Sequence, residues 1–227
     1  MKIRQITEHV WTSAFEERRD RPSLGLIIGK KFNVAVDAGH SGQHVMEFYE
    51  ALEREGLDLP EMTVLTHWHW DHTFGMHAVH GLTVAEKRTE QLLTKICDDW
   101  DAESDRKYKK MEPSIAAEYG KEKIRVVKPD ISFSDEMTID AGNLVIRCFH
   151  TESPHTEDST LIYIPGDQVI FVGDCICGEY PTWRTDAAKM EELKNTLRAL
   201  DFDYAVSGHW VEFSREELFQ ELDEGRI

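Results

Sequence analysis

Four short polar segments, each placed where an apolar run ends, constrain this chain more than any other feature. They are His67-Trp68-His69-Trp70-Asp71-His72, Pro154-His155-Thr156, Gly173-Asp174 and Gly208-His209. The runs before them, Met62 to Thr66, Leu144 to Phe149, Val169 to Val172 and Tyr204 to Ser207, read as short buried strands. Side chains just past a strand end are held by a rigid element yet remain free to face a ligand. A chain that uses all four segments together must bring four strand ends to one place.

The segments carry seven metal-capable side chains: His67, His69, Asp71, His72, His155, Asp174 and His209. Imidazole nitrogen with carboxylate oxygen is a donor set for zinc or iron. Seven donors are too many for one tetrahedral ion. They suit two ions that share one donor, an arrangement used for hydrolysis. In an extended stretch His67, His69 and Asp71 project to one side. His67 and His69 then reach one ion, and Asp71 with His72 reaches a second if the chain turns there into a helix. Gly75 would ease close approach in that turn. A lone histidine after a strand is more often a plain loop residue, and histidine-rich stretches occur in expression tags. Here the cluster is internal and its partners recur at other strand ends.

With these motifs in order, the chain resembles the metallo-β-lactamase-fold hydrolases, whose signature is His-x-His-x-Asp-His, a lone His, Gly-Asp and a late Gly-His. The resemblance runs roughly from Leu24 to His209. It implies an α/β, four-layer αββα sandwich with the site at one edge of two sheets. By the same resemblance His67, His69 and His155 hold a first metal, Asp71, His72 and His209 a second, and Asp174 bridges. Asp71 would also orient the nucleophile or pass a proton. Asp37, in Val36-Asp37-Ala38-Gly39, matches an early Asp-x-Gly that supports such sites. Two loop positions depart from the pattern, Pro154 before the lone His and Thr73-Phe74-Gly75 after the first motif. A large subgroup of true β-lactamases places Cys where this chain has Asp174. Cys175 and Cys177 only flank that position, which weakens an antibiotic-hydrolysing reading.

The 227 residues suit one domain, 1–227, with a polar helical insertion at about 86–123. Leu92, Leu93, Ile96 and Trp100 form one stripe there. Two readings of the insertion stay open, a substrate lid or a solvated helical pair packed on the sandwich. Further helices are expected around Val45–Leu52, stopped by Gly56, after Asp186, and after a Ser214–Glu217 capping box. Leu24–Ile28 and Phe32–Val36 read as paired strands, and Leu161–Ile164 with Val169–Val172 as a hairpin.

Twenty-six basic against 43 acidic side chains give a formal charge of −17. An acidic surface disfavours phosphate-backbone binding, so no nucleic-acid partner is expected. No apolar run approaches the ~20 residues needed to cross a bilayer. No signal-peptide pattern stands at the N-terminus, and the four scattered cysteines form no disulfide framework. A cytoplasmic location and no membrane partner are expected.

These readings converge on a hydrolase with two divalent ions, zinc first and iron or manganese as alternatives. The substrate would be a small ester, thioester, lactone, lactam or phosphodiester. Trp68, Trp70, Tyr180, Trp183 and Trp210 would favour a substrate with an apolar or planar part, although packing is the preferred role for Trp68 and Trp70. Arg184 could hold an anionic group. The short segment after His209 disfavours glutathione thioesters. The competing reading is a mononuclear-iron oxidoreductase like the sulfur dioxygenases of the same superfamily.

Overall fold

A computed structural model describes residues 1–227. Seven short strands form the first sheet in chain order: β1 (Ile3–Gln5), β2 (Val10–Ser13), β3 (Gly25–Ile27), β4 (Val34–Val36), β5 (Met62–Val64), β6 (Leu82–Glu86) and β7 (Ile131–Phe133). Pairing is antiparallel from β1 to β4 and parallel from β4 to β7. The second sheet runs β8 (Glu136–Asp140), β9 (Val145–His150), β10 (Thr160–Ile164), β11 (Val169–Gly173), β12 (Tyr204–Ser207) and β13 (Phe213–Ser214). There β11 and β12 are the parallel pair.

Strand alternation sorts one apolar run into two cores. On β10 and β11, Ile162, Ile164, Val169 and Phe171 face the first sheet and meet Val10, Ile27, Val36, Val64 and Val84. The intervening Leu161, Tyr163, Ile170 and Val172 face outward onto α6 (Ala187–Arg198) and α7 (Arg215–Glu224) through Met190, Leu193, Leu197, Leu218 and Leu222. Burying each such aliphatic side chain contributes roughly 1.5–3 kcal/mol. That is why both strands read as unbroken apolar runs.

Helix α1 (Gly42–Arg54) covers the other sheet, laying Val45, Phe48, Tyr49 and Leu52 on Leu24 and Leu26. Its N-cap is Ser41, whose hydroxyl accepts from the His44 N–H. The layers are therefore helix, sheet, sheet, helix, as expected. Asp186 caps α6, and Ser214 with Glu217 forms the capping box of α7. The strands β1, β2, β7, β8 and β13 were not read from the sequence. In β8 the signal was present, since Met137 and Ile139 alternate with Glu136, Thr138 and Asp140.

The polar insertion folds as α3 (Lys87–Asp98), α4 (Ala102–Met111) and α5 (Pro113–Tyr119). Ile115 and Tyr119 pack with Ile124 against Trp70 and Phe74 beside the first polar segment. Of the expected stripe, only Leu93 is fully buried.

Candidate metal centre

The end of β5 and the end of β4 lie side by side in parallel register, Val36 opposite Val64. Past that point Asp37 accepts hydrogen bonds from the Thr66 N–H at 2.7 Å and from its hydroxyl at 2.8 Å. These bonds end β5 at Val64 and steer the next residues into the cleft. His67 to His69 lie in neither helix nor strand, and a short helix, α2 (Trp70–Thr73), begins at once. Asp71 and His72 are therefore displayed from a helix. Gly75 passes so close to Ala38 that an added Cβ would lie 1.9 Å from the Ala38 carbonyl oxygen.

The seven sequence-selected side chains meet there as two groups. His67, His69 and His155 form one, and Asp71, His72, Asp174 and His209 the other. In the first, His69 Nδ1 lies 3.1 Å from His67 Nε2 and 2.9 Å from His155 Nε2. Nitrogens around a tetrahedral zinc at about 2.0–2.1 Å sit about 3.3 Å apart, so the spacing fits such an ion. In the second, His209 Nε2 lies 3.0 Å from Asp71 Oδ2 and 3.2 Å from Asp174 Oδ2. His72 Nε2 is 3.3 Å from Asp71 Oδ2 and 3.4 Å from Asp174 Oδ2, yet it makes no hydrogen bond. Asp174 Oδ1 is also buried without a partner. Orphaned buried donors and acceptors of this kind are costly unless something else binds them. The donor set and both orphans fit divalent cations.

Outer partners fix the imidazoles. Asp37 Oδ2 sits 2.7 Å from His72 Nδ1, and the Gly178 carbonyl 2.9 Å from His155 Nδ1. Both leave Nε2 turned to the cleft, the arrangement that orients metal-binding histidines. Asp37 adopts a left-handed conformation, φ 63°. Gly173, φ 50°, approaches Thr66 so closely that only glycine fits before Asp174.

Electrostatics divide the two groups. Burial, then the neighbouring imidazoles, hold His67 well below the ordinary histidine pKa. Burial followed by His155 pushes His69 down to about 3. These rings are neutral, with lone pairs to donate. Burial also works against the charged form of His72, but Asp71, Asp174 and Asp37 outweigh it and hold its pKa well above the usual value. His209 is raised in the same way, chiefly by Asp174. Asp71 and Asp174 are held low despite burial, by His72 and His209. The second group thus demands positive charge at its centre.

A cleft opens over both groups. Besides the candidate ligands, its walls include Trp70, Tyr180, Trp183 and Trp210, together with Asp20 and Glu112. The two acids escaped sequence reading. Asp20 lies in a charged run, Glu16 to Arg21, that looks like solvated surface. Its Oδ1 is 3.6 Å from His209 Nδ1, and burial followed by Asp71 pushes its pKa up to about 6. Trp70 is both packed and exposed to the cleft, whereas Trp68 packs near Leu65 and Leu93. Arg184 lines a neighbouring depression rather than the cleft itself.

A family model described as the metallo-beta-lactamase superfamily matches residues 19–209. The Drosophila melanogaster protein named Beta-lactamase-like protein 2 homolog is 24% identical over 170 residues, covering 74% of this chain and 49% of its own. The chain spans about half the length of that curated relative. Among solved structures, a metallo-beta-lactamase from Pontibacter korlensis superposes with a TM-score of 0.72 at 18% identity, covering 98% of this chain and 97% of its own. The sec-alkyl sulfatase PisA1, as a double mutant, gives 0.75 at 12% identity over 99% of this chain and 41% of its own. At these identities the structural likenesses speak for the fold alone.

Proposed function

This chain belongs to the metallo-β-lactamase superfamily, and from that premise we propose that it is a dinuclear metal-dependent hydrolase of small esters, thioesters, lactones, lactams or phosphodiesters. The observation that carries the reading is the place of one oxygen. Asp174 Oδ2 lies 3.7 Å from His155 Nε2 in the first group and 3.2 Å from His209 Nε2 in the second. A carboxylate so placed can serve both groups at once.

In this reading His67, His69 and His155 hold one divalent ion and Asp71, His72 and His209 the other, with Asp174 shared. Zinc suits the donors best, and iron or manganese are alternatives. A bound pair would supply a water acidic enough to be a nucleophile near neutral pH and a Lewis acid for the oxygen under attack. The chain does the rest. Asp37 and the Gly178 carbonyl keep two imidazoles in one tautomer and orientation. Asp71, in the second group beside His209 and His72, would orient the nucleophile or pass a proton. The aromatic walls limit bulk water and offer flat surfaces to a small substrate. No helix is long and apolar enough to cross a membrane, and all four cysteines are unpaired. Free thiols accord with a reducing, cytoplasmic setting.

The test joins elemental analysis with turnover on a panel of these substrate classes. Two zinc ions per chain with hydrolysis are expected, and His69→Ala or Asp174→Ala should abolish both while the circular dichroism spectrum stays native. Full activity of a metal-stripped His69→Ala protein ends this account. One iron per chain with oxygen uptake would transfer the assignment to the oxidoreductase alternative.

A further inference from the structure

The cleft walls that hold no candidate ligand share one chemistry. They contain no lysine or arginine. They offer aromatic faces and two carboxylates, Asp20 and Glu112. The rings at one end stand edge to face. Trp70 and Tyr180 are 4.9 Å apart at 77°, and Tyr180 and Trp183 are 5.8 Å apart at 81°. Tyr180 lies one ring beyond His69, at 6.1 Å, and Trp183 one ring beyond His155, at 6.4 Å. Glu112 accepts a hydrogen bond from the Tyr180 hydroxyl, so its charge sits at the rim of these rings. Burial, followed by Glu112, raises the Tyr180 pKa and keeps the phenol protonated. Trp70 lines the cleft with a buried indole N–H that has no acceptor in the protein.

We propose that Tyr180, Trp183 and Glu112 form a subsite for a cationic alkylammonium group on the substrate, one ring beyond the reacting centre. The inference rests on the hydrolase reading for its position but not for its recognition chemistry. Aromatic faces attract cations through their quadrupoles, and partly enclosed rings recognise quaternary ammonium groups in particular. Glu112 adds a full charge beside them. The surroundings act in the same direction. The adjoining depression holds Arg184 and Lys189 against Glu157, Glu179 and Asp186, and the whole chain carries −17. An anionic tail would approach against that field, and a cationic one with it. The reacting carbonyl would lie over the two ligand groups, with the ammonium directed away from them. Trp183, 61% exposed, forms the outer wall that such a group would cover.

The probe is choline set against its uncharged isostere, 3,3-dimethylbutan-1-ol, both titrated into zinc-loaded protein and followed by tryptophan fluorescence and calorimetry. Choline should bind about fivefold tighter or more. That ratio should fall towards one in Glu112→Gln and in Trp183→Ala, each checked for native circular dichroism and zinc content. Equal or weaker binding of choline, no measurable choline binding, or a ratio that survives both substitutions overturns the subsite. Hydrolysis is scored separately on acetylcholine and 3,3-dimethylbutyl acetate, in which water splits the acyl–oxygen bond to give acetate and the alcohol. Turnover of both esters with equal kcat/KM keeps the hydrolase and removes the subsite. Choline discrimination without turnover of either ester, or of the wider substrate panel, keeps the subsite and removes the hydrolase.

Discussion

Arg21 and Glu118, 97 positions apart, form a two-pronged ion pair: Nε and Nη2 each donate to a separate carboxylate oxygen at 2.8 Å. Both side chains are almost wholly buried. Glu47 on α1 takes the third guanidinium contact at 2.9 Å, and Ser41, the cap of α1, donates to Glu118. The pair fastens the helical insertion to the turn that carries Asp20 into the cleft. Tyr119 adds a second fastening by donating to the His40 carbonyl at 2.7 Å.

Removing Glu118 takes two of the three carboxylate contacts from the buried Arg21 guanidinium and leaves only Glu47 to offset its charge. Glu118→Ala should lose about 3–5 kcal/mol of unfolding free energy. Urea denaturation measures it, and a loss within the experimental error of a surface substitution would contradict the burial argument.

Gly208 is a second sensitive position although it offers no ligand. A Cβ there would lie 2.4 Å from Asp174 Oδ1 and 2.8 Å from His72 Cε1. Gly208→Ala should displace both side chains and weaken metal binding about 10–100-fold, as disturbed outer contacts do. Competition with a chromophoric zinc chelator reads the change; wild-type affinity would show that the two side chains have room to yield.

Asp37→Asn isolates the carboxylate that orients His72. Asn tolerates the left-handed backbone at this position, so the fold should persist. The imidazole loses its charged acceptor, and zinc affinity should drop about 10–100-fold. Unchanged affinity would remove Asp37 from the site's support.

Asp158 supplies a pH signature from a group that is not itself a candidate ligand. It is fully buried, Oδ1 accepts from the Thr156 hydroxyl at 2.8 Å, and Oδ2 has no partner. Burial pushes its pKa up to about 6. The folded protein therefore holds this proton more tightly than the unfolded chain. Its contribution to stability is fully present below about pH 4 and is lost as pH rises to about 6, a difference of about 3 kcal/mol. Asp158→Asn, neutral throughout, should be more stable than wild type near pH 8 and gain nothing near pH 4. Denaturant midpoints at the two pH values check the sign.

The cysteines give a chemical prediction. Burial pushes the Cys148 and Cys175 thiols up to about 12 and the Cys177 thiol well above its usual value. Cys97 alone is partly exposed. Native alkylation near pH 8 should add one carbamidomethyl group, at Cys97. Rapid modification of a second cysteine, read by mass spectrometry, would refute the burial of these thiols.

Strand ends and donors were legible in the sequence because both are local patterns. Residues 62–72 pass from an apolar run to a histidine run within one line of chain, and Val169–Val172 with Gly173-Asp174 repeats the transition. The capping residues Asp186 and Ser214 were legible for the same reason, since a cap bonds only to its own first turn. Residues 1–23 gave no such signal. Their strands, β1 and β2, owe their order to pairing with β3, a contact no short window contains.

The sequence by itself thus determined which side chains could bind metal and which strands carry them. Tertiary structure brought them together in the division the family resemblance implied, His155 beside His67 and His69, and His209 beside Asp71, His72 and Asp174, with Asp174 Oδ2 also 3.7 Å from His155. It also brought Asp20 and Glu112 to the cleft from charged stretches that look like surface. The physical reason is range. Propensity, alternation and capping act over a few residues, whereas cleft walls and buried ion pairs such as Arg21–Glu118 exist only once distant segments pack together.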